Sequence, residues 1–199
     1  MQKPTNFNDL LKLQKILDET VYEQRENGFI PRKRTEFDLR MAIDDEFNEF
    51  MKELPPELNF KTWKEIEYDP KKQLIEFVDC LFFILGALND FKESYGEYFL
   101  DIVFENFDNL TEFEIKRYKE EIEKIWFSES EKTEIFKESL DNFKMRLHCD
   151  LSYQPDFEDV INAYFDIAMW LGYSKEIILE AYWDKWKKNM KRIKGDWSL

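Results

Sequence analysis

Apolar residues recur along the chain at helical spacing. Leu10, Leu13, Leu17 and Val21 form one stripe, and the pattern predicts a first helix from about Asn8 to Glu26. Gly28 and Pro31 break it. Thr35 and Asp38 read as a capping pair that opens a second helix, with Leu39, Ile43, Phe47, Phe50 and Leu54 as its core stripe and Pro55-Pro56 as its stop. Residues 57–69 read as a loop. Asp69 as N-cap and Pro70 at the first helical position open a third helix. Its apolar residues (Leu74, Phe77, Val78, Leu81, Ile84, Leu85, Leu88) cover most of its circumference, which predicts a buried central helix.

The texture changes from Tyr95 to Pro155. Phe99, Val103 and Phe107 suggest a short helix, Thr111 and Glu114 a capping box before another, and Phe136, Leu140, Phe143 and Leu147 a third. No chemical constellation stands out here, and the segment reads as a helical insertion packed on the core or on an adjoining subunit. A helix over 156–171 follows, with Gly172 as its stop and Phe157, Val160, Tyr164, Ala168 and Leu171 facing inward. The last helix opens near Ser174 on a stripe of Leu179, Trp183, Trp186, Met190 and Ile193. The predicted fold is all-α: a core domain from 1–94 and 156–199, and an insertion at 95–155.

Composition narrows the function. With 5 Gly and 6 Pro, turn-rich β architectures are disfavoured. The net charge of -14, from 29 basic and 43 acidic residues, argues against binding along a nucleic-acid backbone. An anionic small substrate would need bound cations and a local basic patch. The longest apolar run, Cys80 to Leu88, falls well short of the roughly 20 residues that span a bilayer. The first residues carry no apolar signal core. Cys80 reads as a buried thiol, and with Cys149 it makes no disulfide framework. A cytoplasmic setting fits best.

Two acidic pairs are the chemical feature around which the rest is arranged. Glu46 and Glu49 lie three apart on the second helix, and Glu76 and Asp79 three apart on the third, so each pair shares a helix face. Glu46 and Glu49 each precede a core Phe and border the apolar stripe. A lone pair of this kind is common on solvated faces. Glu76 and Asp79, however, are the only acids between Leu74 and Leu88, and a buried carboxylate is costly unless paired. If the two helices pack side by side, four carboxylates converge, and a hard divalent cation with oxygen ligands answers their repulsion. A buried salt bridge is the alternative. Gln14 and Asp18, one turn apart, are either a polar edge or a reader of a ligand's polar rim. Trp63, next to Lys61 and Lys64, either plugs the core edge or offers a platform for a base. Lys185, Asn189 and Arg192 share one face of the last helix. They are either dipole-favoured cations or phosphate donors. Asp159, Asn162 and Asp166 are polar positions that could approach the acidic site. Arg32, Lys33 and Arg34 read as a solvated basic turn, and His148, the only histidine, as a surface or satisfied residue that cannot build a zinc site alone.

These elements together resemble the dimeric dUTPases of the all-α NTP pyrophosphatase superfamily. The resemblance covers Leu10 to about Asp90 and Asp156 to Trp197. It rests on Leu-Leu-Lys-Leu-Gln-Lys-Ile-Leu-Asp at 10–18, Glu46-x-x-Glu49, Phe60-Lys61-x-Trp63, Glu76-Phe-Val-Asp79 with the following Leu-Phe-Phe-Ile-Leu-Gly, and Ala181-Tyr-x-x-Lys185-x-x-x-Asn189-x-x-Arg192. It implies a helical bundle with an insertion and Mg²⁺-dependent hydrolysis of dUTP to dUMP and diphosphate, with dUDP as a second candidate substrate. A sibling dCTP or NTP pyrophosphatase, or a catalytically weakened nucleotide- or partner-binding protein, is the alternative. By resemblance Glu46, Glu49, Glu76 and Asp79 are the metal ligands, and Glu46 or Glu49 also orients the attacking water. Gln14 and Trp63 would contact uracil, with Asp18 near the base or sugar. Lys61, Lys185, Asn189 and Arg192 would face the phosphates. A homodimer is implied, and the insertion offers a surface for a protein partner. Phe82 stands where relatives often carry His, and Gly195-Asp196-Trp197 stands in for a Gly-Tyr ending.

Overall fold

A computed structural model describes residues 1–23, 28–91, 97–125, 128–148 and 157–193. Among these the chain forms eight α-helices and no strand: α1 Phe7–Val21, α2 Glu36–Lys52, α3 Pro70–Phe91, α4 Glu97–Asp108, α5 Glu112–Ile125, α6 Glu129–His148, α7 Phe157–Leu171 and α8 Lys175–Ile193. The first helix is shorter than the pattern predicts. Asn6 caps it by accepting from the Asp9 amide, and Tyr22 closes it. The predicted end at Glu26, the start at Asp156, Cys149 and the Gly195-Asp196-Trp197 ending lie outside the described residues.

The local signals for α2 and α3 act as the chemistry requires. The Thr35 hydroxyl accepts from the Asp38 amide, and the Asp38 carboxylate accepts from the Thr35 amide, a complete capping box. Asp69 Oδ1 accepts from the Lys71 amide at 2.9 Å at the head of α3, and Pro70 occupies the first helical position. Asn59, buried, donates to the carbonyls of Lys52 and Leu54, which ties the loop after α2 back onto the end of that helix.

The third helix is the centre. It packs against α1, α2, α7 and α8, and Phe77, Val78, Cys80, Leu81, Ile84, Leu85 and Leu88 are all buried. The many phenylalanines fill this core by ring contacts. Phe77 stacks on Tyr164 of α7 at 4.0 Å and touches Phe50 of α2 at 5.2 Å, while Phe82 stacks on Tyr182 of α8 at 4.2 Å. The Tyr164 hydroxyl donates to the Phe77 carbonyl, so the buried phenol has its partner.

The 95–155 segment joins the same core. Val103 and Phe107 of α4, and Phe136, Leu140, Phe143 and Leu147 of α6, belong to one continuous apolar cluster with α1, α2, α3 and α7. The sixth helix lies along α7 and reaches α2. No described helix is long and apolar enough to cross a membrane.

Gly172 ends α7 as its position predicts. Its φ is 82°, its amide donates to Met169 and that of Tyr173 to Ala168, the paired bonds of a Schellman stop. A Cβ there would also meet the Lys119 ammonium at 2.7 Å, a flexible end that can move away. The backbone angle therefore sets the cost. Gly172→Ala is expected to lose about 1–2 kcal/mol, seen as a fall of about 2–8 °C in a thermal melt, with helicity unchanged at room temperature.

Candidate active site

Packing α2 against α3 brings the acidic borders of the two helices together. Carboxylate oxygens of Glu46, Glu76 and Asp79 lie within 4.8 Å of one another. Glu49 stays outside this group. It sits one turn along α2, about half exposed, and pairs with Lys52 at 2.5 Å. The structure thus gathers three of the four acids and leaves the fourth at the margin.

The electrostatics of the three follow from their setting. Burial and the facing Asp79 and Glu76 push Glu46 up to about 7, against the pull of Lys185. Glu76 is raised by burial and by Asp79, and Asp79 by burial, although Lys185 holds it with an ion pair at 2.5 Å. Among the described residues, the ion pair made to this cluster is that of Lys185 with Asp79. The oxygen-only donor set, its spacing and its surplus of negative charge fit a hard divalent cation.

Beside this cluster lies a cleft of about 360 Å³. Glu46 and Asp79 form one part of its wall, Lys185, Asn189 and Arg192 of α8 another, and Gln14 and Asp18 of α1 a third. Gln14 is buried, and its amide is held from both sides: Tyr182 donates to Oε1 at 2.9 Å, and Nε2 donates to Asp18 at 3.0 Å. One N–H and one lone pair of that amide remain for a ligand. Asp18 is raised by burial, with Gln14 and Arg34 countering. The α8 residues reach the cleft because the helix buries Ile178, Leu179, Tyr182 and Trp186. The inward line runs through Tyr182 rather than Trp183, since the Tyr182 hydroxyl finds Gln14 and its ring finds Phe82.

Other candidates lie elsewhere. Trp63 is 74% exposed on the loop after α2, edge-on to Phe60, and neither it nor Lys61 lines the cleft. Asp159 pairs with Arg146, Asn162 accepts from Asn106, and Asp166 lies beside Tyr118, so none of them joins the acidic cluster. Arg34 is the residue that sequence patterns did not single out. It pairs with Asp18 at 3.2 Å, lies 5.0 Å over the Phe83 ring and lines the cleft. Its only advance signal was a buried acid on α1 in need of a cation.

The raised Glu46 carries a stability consequence for the metal-free protein. Between its ordinary value of 4.5 and about 7, the folded state keeps a proton that the unfolded chain has released. Stability from this group is therefore complete below pH 4.5 and is lost as pH rises to about 7. Asp38 and Asp44, held low by their cationic partners, act below this window. Glu46 is partly exposed, so screening leaves an effect on the order of 1 kcal/mol. In chelator-treated protein the melting temperature is expected to fall by about 2–4 °C between pH 5 and 7.5. Glu46→Gln should remove that part of the slope, and an unchanged slope would reject the assignment.

No curated protein matches the chain. A family model described as dUTPase matches residues 6–197, which takes in α1 to α8 and both carboxylate-bearing helices. By that match the chain belongs to the all-α dUTPase family.

Proposed function

We propose that the cleft between α1, α3 and α8 is the catalytic site of a Mg²⁺-dependent dUTP pyrophosphatase. The observation that carries this reading is the meeting of Glu46, Glu76 and Asp79 beside a cleft whose wall Glu46 and Asp79 share with Gln14 and the Lys185–Asn189–Arg192 face. The family's reaction hydrolyses the anhydride between the α- and β-phosphates of dUTP: a water oxygen bonds to one of the two phosphorus atoms, the bridging P–O bond at that atom breaks with its electrons going to the leaving group, and dUMP and diphosphate result.

In this reading Glu46, Glu76 and Asp79 hold the cation, and Glu49 joins them or orients the water once Lys52 lets go. The bound Mg²⁺ would supply charge neutralisation at the phosphates and a water of lowered pKa. Lys185 holds Asp79 now; were Asp79 to hold a cation, the Lys185 ammonium would be free to face phosphate oxygens. Arg192 offers a planar fork to the same oxygens and Asn189 an amide. Gln14, clamped by Tyr182 and Asp18, presents one donor and one acceptor, which matches the alternating edge of uracil. Asp18 would sit near the base or sugar. Trp63 and Lys61 stand exposed, and they would reach a bound nucleotide from the second subunit of a homodimer. The 95–155 segment is read as an insertion that also offers a surface to a protein partner.

The test is diphosphate release from a panel of dNTPs and dUDP, with and without Mg²⁺. dUTP should be the best substrate and require the metal. A preference for dCTP or for several NTPs would identify a sibling pyrophosphatase, and binding without product would identify a non-catalytic nucleotide binder. Glu49→Gln and Asp79→Asn are each expected to lower kcat by at least about 10³-fold with a normal helical spectrum. Near-normal turnover in both would sink the site assignment.

A further inference from the structure

The second helix presents three faces. Its apolar stripe enters the core, its acidic border meets α3, and the opposite border meets α6. Taken from Phe47, Glu46 lies about 100° round the helix one way, while Asp44 and Asn48 lie about 60° and 100° the other way. On that far border α6 makes a connected set of contacts. The Lys144 ammonium donates to Asn48 Oδ1 at 2.6 Å and lies 3.5 Å from Asp44. Asn48 Nδ2 donates to Asp44 at 3.1 Å, and His148 lies 3.2 Å from the same carboxylate. One residue before Lys144, Phe143 stacks on Phe47 at 4.2 Å, both rings fully buried. The residues gripped, Phe47 and Asn48, lie in sequence between Glu46 and Glu49.

We propose that Lys144 is a positioning residue for the α2 carboxylates: through Asn48 and Asp44 it fixes the rotation of α2 about its own axis, and so the place of Glu46 and Glu49 opposite Glu76 and Asp79. The inference rests on the reading of those acids as the cation site. A carboxylate oxygen stands about 6 Å from the helix axis, so a rotation of about 10° carries it about 1 Å. Metal sites need their ligands held within about 0.5 Å. Apolar stripes tolerate such a rotation better than a coordination shell does, because ring contacts lose little over 1 Å of sliding while an oxygen leaves its ligand position. A hydrogen bond on the far border resists it directly. Lys144 is two-thirds buried and its partners are fixed, which sets the contact apart from a loose surface pair. The segment that carries no catalytic side chain thus aims the helix that does.

A staple that merely held the segment down would lower the melting temperature and leave cation affinity alone. The experiment is a double-mutant cycle on the full chain, with Lys144→Ala, Asn48→Ala and both together, plus Lys144→Arg. Mn²⁺ affinity is measured by calorimetry without nucleotide, and dUTP turnover as a function of Mg²⁺. Each single variant is expected to weaken Mn²⁺ binding about tenfold, at the lower end for contacts that orient metal ligands. The double variant should weaken it no further, Lys144→Arg should recover most of the loss, and the Mg²⁺ concentration for half-maximal turnover should rise in step. Unchanged affinity in either single variant, or additive losses in the double, overturns the proposal. Should Lys144→Ala not fold, Asn48→Ala alone decides it. Wild type that binds no divalent cation overturns the cation site and this inference together. Wild type that binds Mn²⁺ yet leaves dUTP intact removes the proposed activity, while the calorimetry still decides the positioning role.

Discussion

Three like-charged side chains are pressed together because two helices have no other way to bury their apolar faces. The second and third helices make the most extensive pairing among the described elements. Phe50 rests on Phe77, and the Cys80 thiol points at the Ile43 carbonyl 3.8 Å away. Once that seam closes, Glu46, Glu76 and Asp79 have nowhere to separate to. Repulsion among them is local, while the apolar burial that opposes it runs the length of both helices. Two positive partners temper that repulsion, the proton that Glu46 retains up to about pH 7 and the ammonium of Lys185 on Asp79. On the proposed reading a divalent ion would displace both, and Lys185 would then be free to face a phosphate.

The other end of the cleft solves a different problem with the same economy. Gln14 and Asp18 are drawn inward with α1, where an unpaired amide or acid would be costly. Tyr182, Gln14, Asp18 and Arg34 form one chain of hydrogen bonds that satisfies them in the absence of ligand. Its geometry is fixed at one end by the stack of Phe82 on Tyr182 and at the other by Arg34 over Phe83. Phe82 therefore does structural duty, holding the tyrosine that holds the glutamine. Polar groups oriented before a nucleotide arrives need little reorganisation to read it.

Much of this was visible along the chain because it is local. Capping at Thr35–Asp38 and Asp69–Pro70, the stop at Gly172 and the apolar ring of α3 all depend on residues within a few positions of one another. Two acids alone in the apolar stretch from Leu74 to Leu88 were legible for the same reason. What could not be read was rotation and reach. Periodicity put Trp183 on the inward line of α8, yet a hydroxyl partner on α1, 168 residues away, turned that line toward Tyr182. Arg34 looked like one of three solvated cations, and only the fold shows that it, not its neighbour Arg32, faces Asp18 while Arg32 serves the cap of α2. Glu49 and Glu46 share a spacing but not a setting, since Glu46 meets Glu76 and Asp79 while Glu49 pairs with Lys52.

The 95–155 segment shows why a stretch without chemistry need not be an appendage. Its apolar residues fuse with the core, so removing it would expose Phe47, Val160 and their neighbours rather than trim a surface. The contact that matters most for the site joins residues 96 positions apart and consists of a lysine and an asparagine, neither of which carries a motif. Such a contact acts on catalysis only through the rigid body between it and the acids. Because a helix transmits rotation almost without loss over one turn, the polar border facing α6 and the acidic border facing α3 are not independent surfaces. They are opposite ends of one lever whose pivot is the Phe47–Phe143 stack, and a change on either side is felt on the other.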